Sequence, residues 1–222
     1  MSIESLLAHL DELIFMLGGT VCHQLPERSL FVNRRQLPLC VRDTSIHLAL
    51  WYSFCLAFFF NRKWLSVVSS RYIALALVLS LAPVGFDVLA YELGIYPGSN
   101  TVRFVTGLFA GFGIGLFVAK TLQTTLASDT GRHTASIWPL VLGSAGLLPI
   151  AYLHYAGYQW VLSIAFYLQG VSVLLIFTLL WGLFLGFGLN ASGRKFPSPR
   201  VMISAGLAMS LVQIVILGAI RL

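Results

Sequence analysis

The residues with the clearest potential for chemistry lie between positions 22 and 47. They are Cys22, His23, Cys40, Asp43 and His47. If a helix begins near Cys40, Asp43 and His47 follow three and seven residues later and share one face of it. Thiolate, imidazole and carboxylate are the groups that bind Zn²⁺ in proteins, usually four at a time. The cluster therefore predicts a candidate zinc site built from Cys22, His23, Cys40 and either Asp43 or His47.

Two other interpretations of the cysteines stay open. A disulfide between Cys22 and Cys40 would close a loop of about 19 residues and stabilise an outward-facing segment by a few kcal/mol. The two side chains could also be thiols that are not bonded to each other. The spacing alone does not choose among disulfide, metal site and separate thiols.

Histidines near the ends of apolar stretches offer a further cofactor hypothesis. His47 and His154 both fall at predicted membrane edges, where an imidazole could ligate haem iron or chlorophyll magnesium. Neither belongs to a motif that pairs it with a second ligand. Haem or chlorophyll binding is thus the weaker cofactor prediction, and an interfacial role is the default for both side chains.

These residues belong to a strongly apolar chain, in which 58% of residues are hydrophobic and 10% are charged. A bilayer core of about 30 Å requires a helix of roughly 20 apolar residues. About six stretches come close to that length, at residues 44–60, 67–91, 102–119, 137–155, 160–189 and 201–220. We therefore predict an all-α integral membrane protein with about six transmembrane helices in contact with a lipid bilayer. The fifth stretch is too long to cross straight, so it should tilt, break near Gly170 or extend into water.

The region before the first predicted span has a different pattern. Apolar residues recur at helical spacing over positions 3–17, and Gly18 and Gly19 follow them. This predicts a short amphipathic helix at residues 1–19, lying in the interface or against the bundle, rather than a signal peptide. Residues 20–43 then form an extracytoplasmic Cys/His/Arg segment, and residues 44–222 form the six-helix bundle.

Basic residues predict the orientation. Lys and Arg concentrate in the first, third and fifth loops, which should therefore be cytoplasmic in a prokaryotic cytoplasmic or derived internal membrane. Arg28, Arg34, Arg35 and Arg42 would then lie on the disfavoured outer side. Ordinary solvation, pairing with Glu27 and Asp43, lipid phosphate or an anionic ligand could each account for them.

Several functions are disfavoured. The net charge of +6 comes from basic residues beside apolar stretches, so we predict no nucleic-acid binding. The chain carries no Gly-rich phosphate loop with a lysine and no zinc-protease or serine-hydrolase motif. Gly107, Gly111 and Gly115 form a stripe along the third span that allows close helix packing, either within the chain or with a partner subunit.

The motif residues resemble a known family, the membrane proteins grouped as domain of unknown function 2085. The matching positions in the first half of its pattern are Cys22, His23, Gln24, Pro26, Arg28, Ser29, Pro38, Cys40, Arg42 and Thr44. Those in the second half are Asp87, Asn100, Arg103, Thr106 and Gly107. The resemblance covers roughly residues 20 to 115. It departs from the pattern at Asp43, where the family has a third cysteine, and at Ser45, Val88 and Tyr91.

The resemblance implies that the segment before the first span and the outer ends of the second and third spans belong together. The resulting polar outer cluster comprises Arg28, Arg42, Asp87, Asn100 and Arg103. Because an ionisable group at a membrane edge is costly unless it is paired, we expect Asp87 and Arg103 to be partners. The resemblance implies no reaction type.

Two functional hypotheses follow. The first is a non-catalytic accessory or structural subunit of a larger membrane complex, with partner membrane subunits packed against it. The alternative is an outward-facing enzyme, metal-dependent or thiol-redox, that acts on an anionic or lipid-like substrate. The sequence alone does not decide whether the chain is an enzyme.

Overall fold

The computed structural model describes residues 3–57, 68–126, 138–155, 159–193 and 198–221, and these are mostly helical. The helices and strands, in chain order, are α1 (Ile3–Gly19), β1 (Ser29–Val32), β2 (Arg35–Cys40), α2 (Val41–Cys55), α3 (Ser70–Glu92), α4 (Asn100–Leu126), α5 (Trp138–Ala145), α6 (Leu147–Tyr155), α7 (Gln159–Ala191) and α8 (Pro199–Arg221). A single 3₁₀ turn at Pro26–Arg28 precedes β1.

The chain forms two compact units. The first unit combines Met1–Cys40 with Ser163–Leu222, and the second is Val41–Leu162. The first unit therefore contains α1, the two strands, most of α7 and all of α8. The second contains α2 to α6.

Within the described residues, four helices are long and apolar enough to cross a membrane. They are Ser70–Glu92, Asn100–Thr121, Ser163–Gly186 and Arg200–Leu217. These correspond to the second, third, fifth and sixth predicted spans, so the membrane class of the protein is confirmed. The first predicted span extends into residues 58–67, which lie outside the described part of the chain. The fourth is divided into α5 and α6 by a turn at Gly146, and each half has fewer than ten residues.

The long fifth stretch forms one helix. α7 has 33 residues and runs through Gly170 without a break. At 1.5 Å per residue it is about 50 Å long, well beyond a hydrocarbon core of about 30 Å. Of the three predicted alternatives, a break near Gly170 is therefore wrong, and tilt and extension into water stay predictions.

A β-hairpin corrects the all-α prediction. β1 and β2 pair antiparallel, with Val32 opposite Arg35, and a two-residue loop joins them. Both loop residues, Asn33 and Arg34, have positive φ values of 48° and 66°. Positive φ at both positions is the geometry of a type I′ turn, whose twist matches that of the paired strands. Asn-Arg is a weaker turn signal than Asn-Gly, which is why the sequence did not reveal the hairpin.

The core of the second unit lies between α2 and α4. Two thirds of the apolar part of α4 is buried, compared with 11% for α3. A Cβ added at Gly107 would overlap Ser45 and the backbone of Arg42, and one at Gly111 would overlap the backbone of Ile46. The glycine stripe therefore brings α4 against α2. This confirms that the stripe allows close helix packing within the chain.

The first unit is built on similarly close contacts. Gly18, near the end of α1, packs on Pro38 of β2, and Gly170 of α7 packs on Ile14 of α1. In α8, Gly206 approaches the backbone of α7 at Thr178. Most leucines of α1 remain exposed, whereas Ile14 is buried. These contacts fix α1, the hairpin and α7 around the first two cysteines.

Candidate functional site

The first candidate site is the pair of thiols in the first unit. Cys22 is buried just after α1, and Cys40 is half-buried at the end of β2. Their Sγ atoms lie within 4.8 Å of each other, and both residues are present as thiols. Cys22 packs with Leu39 and Val173, while Cys40 borders this small core. The predicted proximity of the two cysteines is thus present, at a distance that suits two ligands of one metal ion or a disulfide after a small movement.

Backbone N–H groups are directed at the Cys22 sulfur. The amide of Cys40 donates to Sγ at 3.2 Å, and that of Gln24 lies 3.5 Å from the same atom. Such donors favour a negatively charged sulfur, which is the form that binds metals and attacks disulfides. This arrangement gives Cys22 the environment of a reactive or ligating thiol within a buried site.

Two glutamines hold the turn that carries Cys22. The Nε2 of Gln24 donates to the carbonyl oxygens of Phe15 at 2.6 Å and Pro38 at 3.0 Å. The Nε2 of Gln36 donates to the carbonyl of Gln24 at 2.7 Å and to Ser29 Oγ at 2.9 Å. Gln24 has a positive φ of 53°, a costly conformation for a non-glycine residue that these bonds stabilise. The Cys-His-Gln motif therefore fastens the end of α1 to the hairpin.

The other predicted metal ligands are His23, Asp43 and His47. His23 is exposed beside Cys22. Asp43 lies in the first turn of α2, in the second unit. His47, the candidate haem or chlorophyll ligand, is buried on the same helix, and its Nδ1 has no hydrogen-bond partner. The side chain of His154 lies outside the described residues.

A second candidate site, described by itself, is a buried ion pair in the second unit. Arg42 is the second residue of α2, and its guanidinium pairs with the carboxylate of Asp87 on α3. The Asp87 side chain is 2% exposed and that of Arg42 is 21% exposed. Asp87 Oδ1 and Arg42 Nε are both buried without a hydrogen-bond partner. Such a pair is costly to separate, because each charge would be left in an apolar setting.

Arg103 is held in the first turn of α4. Its NH1 donates to Asn100 Oδ1 at 3.0 Å, and its guanidinium carbon lies 5.4 Å from the centre of the Tyr91 ring. A Cβ added at Gly98, which has a φ of 80°, would lie 2.5 Å from Arg103 NH2. Glycine therefore serves twice at this loop, by allowing the positive φ and by leaving room for the guanidinium.

The predicted pairing of Asp87 with Arg103 is wrong. Arg42 reaches Asp87 because the glycine stripe brings the start of α2 against α4, while Arg103 turns toward the loop before its own helix. Arg35 and Arg42, which were predicted to lie on the outer side, have the carboxylate partners Asp11 and Asp87. These are not the predicted partners, Glu27 and Asp43. Arg28 lies in the first unit, on the 3₁₀ turn before β1.

Sequence reasoning missed Gln24, Gln36 and Tyr91 as members of the site. Gln24 is part of the Cys-His-Gln motif, so a role of its own at the site could have been predicted from the sequence. Gln36 and Tyr91 carry no signal in a single sequence, because their roles depend on the hairpin and on the end of α3.

Apolar helices of membrane-spanning length define this chain as a multi-pass helical membrane protein. The family described as "Predicted membrane protein (DUF2085)" matches residues 22–117, and the chain belongs to this family. The resemblance read from the motifs is thereby confirmed. The matched part contains both thiols, the hairpin and the α2–α4 packing.

Two archaeal relatives are similar to part of the chain. An uncharacterized protein of Methanothermobacter thermautotrophicus is 32% identical over 96 residues, which cover 43% of this chain and 82% of that protein. An uncharacterized protein of Methanocaldococcus jannaschii is 23% identical over 105 residues, which cover 47% of this chain and 65% of that protein. No solved structure matches the chain.

Proposed function

We propose that this protein is a non-catalytic accessory or structural subunit of a larger membrane complex. The polar motif residues would hold its outer segment in shape, and partner membrane subunits would pack against its apolar helices.

One observation carries this proposal: the family motif residues are engaged in contacts that build the fold. Gln24 ties α1 to β2, Arg42 pairs with Asp87, and Arg103 is held by Asn100. Gly107 allows α2 and α4 to touch. Residues used in this way favour a rigid scaffold over a site that must exchange ligands or protons.

The test is purification from the native membrane in mild detergent, followed by native mass spectrometry of the intact assembly. We expect fixed-stoichiometry partner subunits and a reduced yield of the assembly when Cys22 and Cys40 are both changed to serine. Cys55→Ser is the matched control, because Cys55 is an exposed cysteine on α2. A lone, stable protein with full activity would contradict the proposal.

A thiol-redox or metal-dependent enzyme is the second candidate, and the Cys22–Cys40 pair is the observation that favours it. Two sulfurs within 4.8 Å, one of them receiving backbone N–H groups, suit disulfide exchange or ligation of Zn²⁺. Zinc would need two further ligands, for which Asp43 and His47 are the sequence candidates. An anionic or lipid-like substrate would suit the basic side chains of the outer segment.

Metal content and thiol state, measured on one sample, separate the two candidates. Stoichiometric zinc that is lost in Cys22→Ser and kept in Cys55→Ser would support a metal site. Under the enzyme hypothesis, the double cysteine variant loses function while its assembly stays intact. Under the subunit hypothesis, folding or assembly weakens first.

A further inference from the structure

A cavity in the first unit lies apart from the thiols and the ion pair described above. It has a volume of about 310 Å³ and is lined by residues of α1, the hairpin turn and the start of α7. Buried Val32 and Phe166 form its apolar part, and Asp11, Arg35 and Tyr167 contribute polar groups. All of these residues belong to one compact unit.

The cavity holds two opposite charges at different depths. Arg35 NH1 pairs with Asp11 Oδ2, and the side chains are 64% and 15% exposed, respectively. Asp11 therefore lies inside, while Arg35 lies at the opening. A guanidinium has five N–H donors in a planar fork, so its exposed side can still bind a phosphate while the carboxylate orients it.

The position along α7 indicates the kind of molecule that meets this opening. Ser163 lines the cavity and lies in the second turn of α7, a helix whose apolar segment is long enough to cross a membrane. Tyr167 lies one helical turn further, about 6 Å along the axis. The first turn of a spanning helix lies at the depth of lipid headgroups, where aromatic residues are enriched.

From this placement we propose that the cavity binds the headgroup of a zwitterionic phospholipid that carries a primary ammonium group. The phosphate contacts Arg35, and the ammonium contacts the Asp11 carboxylate and the Tyr167 ring. A purely anionic headgroup fits less well, because it would bring a second negative charge beside Asp11. A quaternary ammonium fits less well too, since it has no N–H to donate to the carboxylate.

Native mass spectrometry of the full chain in detergent tests this with phosphatidylethanolamine, phosphatidylcholine and phosphatidylglycerol as separate probes. We expect one phosphatidylethanolamine per protein, bound more tightly than the other two lipids. Arg35→Gln and Asp11→Asn should each weaken that binding about tenfold, the loss expected for one charge-assisted contact. Circular dichroism and a single elution peak confirm that each variant is folded.

Neighbouring residues provide matched controls. Arg34→Gln and Glu12→Gln remove the same charges one position away, at exposed residues that do not line the cavity. Both should keep binding within about twofold, as expected for solvated surface charges. Equal losses in Arg34→Gln and Arg35→Gln would overturn the proposal, because general surface charge would then explain the binding. Equal binding of phosphatidylglycerol would overturn it as well.

Soluble phosphoethanolamine distinguishes the headgroup from the whole lipid. Displacement of bound phosphatidylethanolamine by an excess of phosphoethanolamine supports recognition through the headgroup. Binding of phosphoethanolamine by a protein that ignores the lipid would show a soluble-ligand site and contradict the proposal. None of these measurements depends on partner subunits, so the subunit hypothesis and the lipid site can fail separately.

Discussion

The hairpin segment of the first unit and the Arg42–Asp87 region of the second unit both carry residues of one family motif, but they are stabilised differently. In the first, neutral amides donate to backbone carbonyls, as Gln24 does toward Phe15 and Pro38. In the second, a nearly buried carboxylate faces a guanidinium, as Asp87 faces Arg42. The first region is an array of separable hydrogen bonds, and the second depends on a single charge pair.

This difference sets how each region should respond to mutation. A neutral hydrogen bond contributes about 1 kcal/mol net, so the loss of one leaves the rest of the array intact. Removing one partner of a buried ion pair leaves the other charge without compensation, at a cost of about 3–5 kcal/mol. Variants of the first region should therefore lose clearly less free energy of unfolding than variants of the second region.

Asp87→Asn should give the largest effect. It leaves Arg42 charged and unpaired against an apolar helix, so we expect a destabilisation of about 3–5 kcal/mol. Chemical or thermal unfolding of the purified protein in detergent measures this. The double variant Asp87→Asn/Arg42→Gln removes both charges and should recover part of the loss. If the single variant were as stable as the wild type, the pair would contribute nothing to the fold.

Gly111→Ala tests the helix contact that supports the ion pair. The added methyl group would overlap the backbone of Ile46, and we expect a cost of about 1–3 kcal/mol from overpacking. Gly85→Ala on α3 is the matched control, because its Cβ would meet nothing within 4 Å. That change should be neutral or stabilising by up to about 1 kcal/mol, since alanine is the better helix former. Equal losses in both variants would contradict a specific α2–α4 contact.

Gln24→Ala should have a smaller effect in the first unit. It removes two hydrogen bonds and leaves the Phe15 and Pro38 carbonyls without this donor, at a cost of about 1–2 kcal/mol. His23→Ala changes the exposed neighbour and should stay within about 0.5 kcal/mol. Hydrogen exchange of the hairpin amides would locate the effect. A large loss in His23→Ala would show that this histidine has a structural or ligand role.

The membrane helices were predictable from sequence because their signal is length and apolar composition. α3, α4, α7 and α8 contain the candidate spans and fall close to the predicted stretches. The internal role of Gly107 and Gly111 could be expected as one of two alternatives, and only the structure shows that α2 is the neighbour. The division of the fourth stretch depends on local packing around Gly146, and helix ends also depend on local packing. A single sequence does not encode either in a periodic pattern.

The site was predictable in its members more than in its pairings. Cys22 and Cys40 are close together, as two of the three open interpretations, a disulfide and a shared metal ion, require. The partner of Asp87 was wrong, because the choice between Arg42 and Arg103 depends on how α2 is seated. Residue types identify which groups need a partner, and tertiary packing selects it.

Arg34→Gly probes the one element that sequence reasoning missed. Arg34 has a φ of 66°, which glycine adopts without the steric cost that a side chain bears. We expect a stabilisation of about 0.5–1 kcal/mol, because this relief exceeds the extra flexibility of glycine in the unfolded chain. Asn33→Gly should change stability less, since asparagine already tolerates positive φ. A destabilised Arg34→Gly variant would show that the Arg34 side chain contributes to the fold, and the hairpin would then depend on charge as the second unit does.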